Sequence, residues 1–99
     1  MKVYVLNLIA EFNNDNYNNV LLYDNFEKAH KGFMKIIERW FNEDVFDTTK
    51  PDGDNSKTWE TDKYDGDYVK YPNGDYLFIE ERNNVVNFLT AYVEEREVM

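Results

Sequence analysis

Between Phe26 and Phe41 the apolar residues recur at three- and four-residue steps: Phe26, Ala29, Phe33, Ile36, Ile37, Trp40 and Phe41. That spacing lays one broad, largely aromatic stripe along a helix. Lys28, Lys31, Lys35, Glu38 and Arg39 fall mostly on the opposite, solvated face. Asp24 followed by Glu27 predicts a capping box, in which each side chain satisfies an orphan amide of the first turn. The stretch from Asp24 to Phe46 is therefore the organising element. A helix so apolar on one side must lie on something, and the segments flanking it read as strands.

Lys2–Phe12 alternates, with Tyr4, Leu6, Leu8 and Ala10 on one face and Val3, Val5 and Ile9 on the other. Apolar residues on both faces predict a central strand rather than an edge. Asn13–Asn19 reads as a turn, because asparagine tolerates left-handed backbone. Val20–Tyr23 then reads as a short second strand completing a hairpin. Asp47–Gly66 is a polar insert with Pro51-Asp52-Gly53-Asp54 as a turn and Trp59 as its large apolar anchor. Its length predicts a short strand within Lys57–Tyr64 and a mobile lead-in. Tyr71-Pro72-Asn73-Gly74-Asp75 predicts a type I turn with Gly74 as the left-handed residue of a bulge, joining strand Asp67–Tyr71 to strand Asp75–Glu81. Arg82-Asn83-Asn84 turns the chain into Val85–Val98. Val86, Leu89, Val93 and Glu97 also fit a helical step, but the β-branched and aromatic residues there favour a strand. The expected fold is a single α+β domain over residues 1–99. It has an antiparallel sheet of about four to six strands with one amphipathic helix packed on one face, in the order β-β-α-(β)-β-β-β.

Composition narrows the function classes. A chain of 99 residues buries about 65% of its unfolded surface, enough for a core, and an aromatic content of 17% argues against disorder. The absence of cysteine removes disulfides, thiol chemistry and thiolate metal sites. Met1–Phe12 is too short for a membrane span and lacks the layout of a signal peptide, so a soluble protein of the cell interior is expected, with no membrane partner. The net charge of −9 opposes direct binding to nucleic acid, whose phosphates repel it, and favours a basic protein surface as partner.

The candidate chemistry is thin. His30 is the single histidine, beside the apolar stripe with no cysteine or second histidine to form a metal or catalytic set. Asp52, Asp54 and Ser56 begin like a calcium loop, but Lys57 stands where glycine is required and Lys63 where a bidentate glutamate belongs. Pro51-Asp52 with Glu60 and Lys63 misses the spacing of metal-dependent nucleases by one residue. Asp65-Gly66-Asp67 and Pro72-Asn73-Gly74 precede no helix that would complete a phosphate cradle. Ser56, the single serine, has no base near it in sequence. The expectation is a protein that is not an enzyme and takes no cofactor or metal.

The informative residues lie in the C-terminal half. Adjacent strand residues point to opposite faces, so Glu80/Glu81 and Glu94/Glu95 are poor acid–base dyads and read as a solvated border. Leu77 and Ile79 alternate with Tyr76 and Phe78, and Leu89 and Val93 with Phe88 and Tyr92, leaving apolar groups on both faces of the closing strands. One helix covers one face. The second must be covered by the insert, by a second copy or by another protein. Tyrosines ringed by acids are typical of interaction surfaces, which selects Asp62, Asp65, Asp67, Tyr68, Tyr76, Phe78, Glu80, Glu94 and Glu95 as the expected partner-binding set.

In size, acidity, α+β plan, lack of cysteine and an Asn- and Tyr-rich composition that fits an AT-rich genome, the chain resembles the small anti-defence proteins of phages and mobile elements, including anti-CRISPR proteins. The resemblance is one of general character and rests on no motif. It implies an inhibitor, active in the bacterial cytoplasm, that binds a nucleic-acid-targeting effector nuclease through that effector's basic surface. The alternative is a structural or housekeeping domain that homodimerises through its free sheet face.

Overall fold

The computed structural model describes residues 1–41 and 45–98, with side chains left out at 84–86. The predicted organising stretch therefore crosses residues 42–44, which lie outside the described residues, as do the side chains of Val85 and Val86 on which the strand reading partly drew. The elements are β1 (Lys2–Phe12), β2 (Asp15–Tyr23), α1 (Phe26–Trp40), β3 (Lys57–Glu60), β4 (Tyr64–Tyr71), β5 (Gly74–Glu81) and β6 (Asn84–Glu97). All strands join one six-stranded antiparallel sheet in the order β2-β1-β6-β5-β4-β3, and α1 packs on one of its faces.

The first hairpin turns more tightly than the asparagine run suggests. Asn13 and Asn14 both take positive φ, 53° and 70°, and Phe12 pairs directly with Asp15. Two successive left-handed residues twist with the flanking strands, the geometry short hairpins require. The rest of the predicted turn, from Asp15 to Asn19, is strand, so β2 begins five residues before Val20. Strand β1 pairs with β2 on one side and β6 on the other, as its two apolar faces predict.

The helix cap is also corrected. Asn25, not Asp24, holds the extended cap position, and its side-chain oxygen accepts from the Lys28 amide at 2.9 Å. Asp24 lies one residue too early and instead pairs with the Lys28 ammonium at 3.1 Å, the i,i+4 spacing of a helix surface. From there the stripe behaves as spaced: Ala29, Phe33, Ile37 and Trp40 are buried. They meet Leu6, Ala10, Tyr68, Leu77, Ile79, Leu89, Ala91 and Val93 from the sheet.

Phe46 and the insert close over the same side. Phe46 is fully buried and packs its ring against Phe12, Trp40, Phe41 and Tyr64. Trp59, on β3, stacks on Phe41 and donates its indole N–H to the Thr49 carbonyl at 3.1 Å. Pro51 and Gly53 are buried as well. At the β4–β5 turn the predicted bulge is absent: Tyr71 pairs with Gly74, and Gly74 is not among the residues of positive φ. Gly74 answers a different constraint, since a Cβ there would stand 2.9 Å from the Val93 carbonyl oxygen.

Trp40 anchors the C-terminal end of α1 between Tyr17 and Phe46. Trp40→Ala is expected to cost about 3–5 kcal/mol of unfolding free energy. Urea denaturation checks this, and an unchanged midpoint would contradict the docking of the stripe.

Candidate interaction face

Strand alternation and the pairing registers sort every strand residue onto one of two faces. The helix-covered face carries Leu6, Leu89, Ile79, Tyr68 and Trp59. The other face is set by the pairs Asp65–Glu80, Asp67–Phe78 and Val69–Tyr76 between β4 and β5. The pairs Tyr76–Tyr92, Phe78–Thr90 and Glu80–Phe88 continue it to β6, and Val5–Glu94 and Asn7–Tyr92 carry it to β1. Asp65, Asp67, Tyr76, Phe78, Glu80 and Glu94, all members of the expected partner-binding set, thus share one face, with Asp65 and Glu94 at opposite ends of it.

No described element packs over that face, because α1 and the insert both lie on the other. Tyr76 is 40% exposed, Ile9 46% and Tyr71 53%, while Val69, Phe78, Phe88 and Tyr92 are half-buried among their neighbours. Asn7 lies among them, and its buried amide nitrogen has no hydrogen-bond partner among the described residues. The face divides along the sheet. Over β2 and β1 it mixes the aliphatic side chains Val20, Leu22, Ile9, Val5 and Val3 with Asn16, Asn18, Asn7 and Glu11. Over β6, β5 and β4 it is aromatic and bordered by acids.

The border is electrostatically one-sided. Arg96 donates to Glu94 at 2.8 Å, Arg82 lies 3.9 Å from Asp65, and the Thr58 hydroxyl donates to Asp67 at 3.0 Å. Glu11, Glu60 and Glu80 belong to the same face by register and are given no counterion among the described residues. The summed field over the aromatic half is negative.

The other selected residues lie elsewhere. Tyr68 is fully buried on the helix-covered face, so it is a core residue and not part of the surface. Its even position puts it in step with Tyr64 and Gly66 rather than with Asp67. Glu95 alternates away from Glu94, and at the sheet's margin it accepts from the Tyr4 hydroxyl and pairs with Lys2, both at 3.1 Å. The hydrogen bonds from Lys2 and then Tyr4 hold its carboxyl below the usual range. Asp62 sits exposed in the turn between β3 and β4.

Sequence reasoning missed a buried polar cluster beneath the helix. Asp75, 1% exposed, accepts the Tyr68 hydroxyl at 2.7 Å and pairs with His30 Nδ1 at 2.8 Å. Lys70 stands 3.7 Å away, its ammonium over the Phe26 ring. His30 therefore has a partner, supplied by β5 from 45 positions along the chain. The signal was present: Asp75 is in step with Leu77 and Ile79, an acid at an inward position that must find donors. The cluster ties α1, β4 and β5 together, and its ring Nε2 lies under Gly53. Burial, and then the bond to Asp75, push the Tyr68 phenol well above its ordinary value.

Comparison with known proteins found no matching family model, no matching curated sequence and no matching solved structure. Among the described residues no helix is long and apolar enough to cross a membrane.

The Tyr68 phenol carries a pH signature. The folded chain keeps this proton where the unfolded chain, with an ordinary tyrosine near pKa 10, releases it. The stabilisation is therefore complete below about pH 10 and is lost as pH rises beyond it. Tyr68→Phe is expected to cost about 1.5–3 kcal/mol at pH 8, the usual worth of a hydrogen bond to a charged group. The gap between wild type and variant should narrow by pH 11. Denaturation at both pH values measures it, and a gap that does not change with pH would contradict the buried bond.

Proposed function

We propose that the chain is a non-enzymatic protein–protein interaction module that docks its open, aromatic and acid-bordered sheet face on a basic protein surface. In the form implied by its general character, the partner is a bacterial nucleic-acid-targeting defence effector, and docking inhibits it by covering the surface that holds nucleic acid. The single observation that carries the reading is the placement of Asp65, Asp67, Tyr76, Phe78, Glu80 and Glu94 on one face that no described element covers.

Size and charge support it. Strands about 4.8 Å apart and about 3.3 Å per residue give a six-stranded face of roughly 850 Å², close to the roughly 800 Å² per partner of a standard interface. The aromatic groups supply anchors with little conformational entropy to lose, and the acids supply long-range attraction to a basic surface. Stacking two such faces on each other brings the acidic borders together, and like charges at close range oppose that arrangement. A net charge of −9 is modest beside duplex DNA, which carries one charge per about 1.7 Å of axis, so occlusion fits better than wholesale mimicry of nucleic acid.

Anchor and border have separable effects. Tyr76→Ala or Phe78→Ala should weaken binding to an inhibited effector nuclease by about 2 kcal/mol or more. Asp67→Lys combined with Glu80→Lys should slow association, as should raising salt, since screening shortens to about 8 Å at physiological ionic strength. Nuclease assays with surface plasmon resonance at two salt concentrations test both. An effector whose inhibition ignores salt and all these substitutions would contradict the proposal.

A further inference from the structure

The two edges of the sheet are built differently. β3 is four residues long and bounded by Lys57 and Glu60, the short, charged form that discourages pairing with another chain. β2 is nine residues long and exposed along its length, pairs with β1 in unbroken register, and carries no charge or proline after Asp15. Val20 and Leu22 are 62% and 69% exposed. In a chain of net charge −9, this uncharged edge is where a second copy approaches with least repulsion.

We infer that β2 pairs antiparallel with β2 of a second copy across a twofold axis at Asn19, continuing the sheet from one chain into the other. The register follows from the hairpin. Phe12 and Asp15 close a two-residue turn, so hydrogen bonding alternates from that pair. The peptide groups of Tyr17, Asn19 and Leu21 turn toward β1, and those of Asn16, Asn18, Val20 and Leu22 turn outward. A twofold centred on Asn19 is the arrangement that pairs every outward residue, Asn16 with Leu22 and Asn18 with Val20. It sets Tyr17 against Leu21 on the helix-covered face, a favourable aromatic–aliphatic cross-strand pair. Opposed residues of paired strands point the same way, so both helices lie on one side and the two open faces join on the other. The inference rests on the β2 edge and stands whether or not the open face binds a basic partner.

Asn19 faces its own copy, which gives a charge test. Sedimentation equilibrium of the full chain from micromolar to millimolar concentration should show a species of about twice 11.9 kDa. Asn19→Lys and Asn19→Asp, each with unchanged circular dichroism, should each sediment at the monomer mass because like charges oppose across the axis. An equimolar mixture should return to the dimer mass. Val20→Pro, which removes one outward N–H at an edge position where proline is tolerated, should also yield monomer. A wild-type monomer throughout, dimers insensitive to these substitutions, a mixture that stays monomeric, or a dimer dissolved by Tyr76→Ala instead would each overturn the inference.

Discussion

One helix about 10 Å across cannot cover both faces of a six-stranded sheet, and most of the molecule follows from which face it takes. The inward positions of β1, β6 and β5 carry Leu6, Ala91, Leu77 and their neighbours, and α1 lays Ala29, Phe33 and Ile37 on them. Beyond the reach of the helix Phe46 and the insert take over, with Phe46 and Trp59 filling the space toward β4 and β3. Both covering elements are committed to one side. No described element covers the apolar residues on the other side, which is the basis of the interaction surface proposed above.

The polar cluster at Asp75 belongs to the same division of labour. A carboxylate in the core is tolerated when donors reach it, and here α1 contributes His30 while β4 contributes Tyr68 and Lys70. The cluster fixes the helix on the sheet at a defined register, which an apolar stripe alone does less strictly. Its histidine is a docking residue, a role that its isolation in the sequence concealed.

Much of this was legible from local pattern. The spacing of Phe26 to Trp40 gave the helix and its buried side, and the alternation within Tyr76–Ile79 and Phe88–Val93 gave closing strands with two apolar faces. The failures have separate causes. Whether Tyr68 or Asp67 faces the helix depends on how β4 is registered against β5, which no local pattern states. Glu95 was grouped with Glu94 although alternation separates them. The Asn13–Asn19 run was read by residue type, whereas two asparagines suffice to turn the chain and the rest extend as strand. Asp75 stands directly after the turn residues Pro72-Asn73-Gly74, where an acid is ordinarily solvated, so only the alternation with Leu77 and Ile79 marks it as inward.

The central claim is that the face bearing Tyr76 and Ile9 is open in the isolated chain while the opposite face is sealed. Proton relaxation enhancement by a freely diffusing paramagnetic probe tests this directly in solution. Strong enhancement is expected at the side chains of Ile9, Tyr71 and Tyr76, and little at Phe33, Leu77 and Trp59. Equal protection of both sets would mean that something covers the second face already, and the account would be wrong.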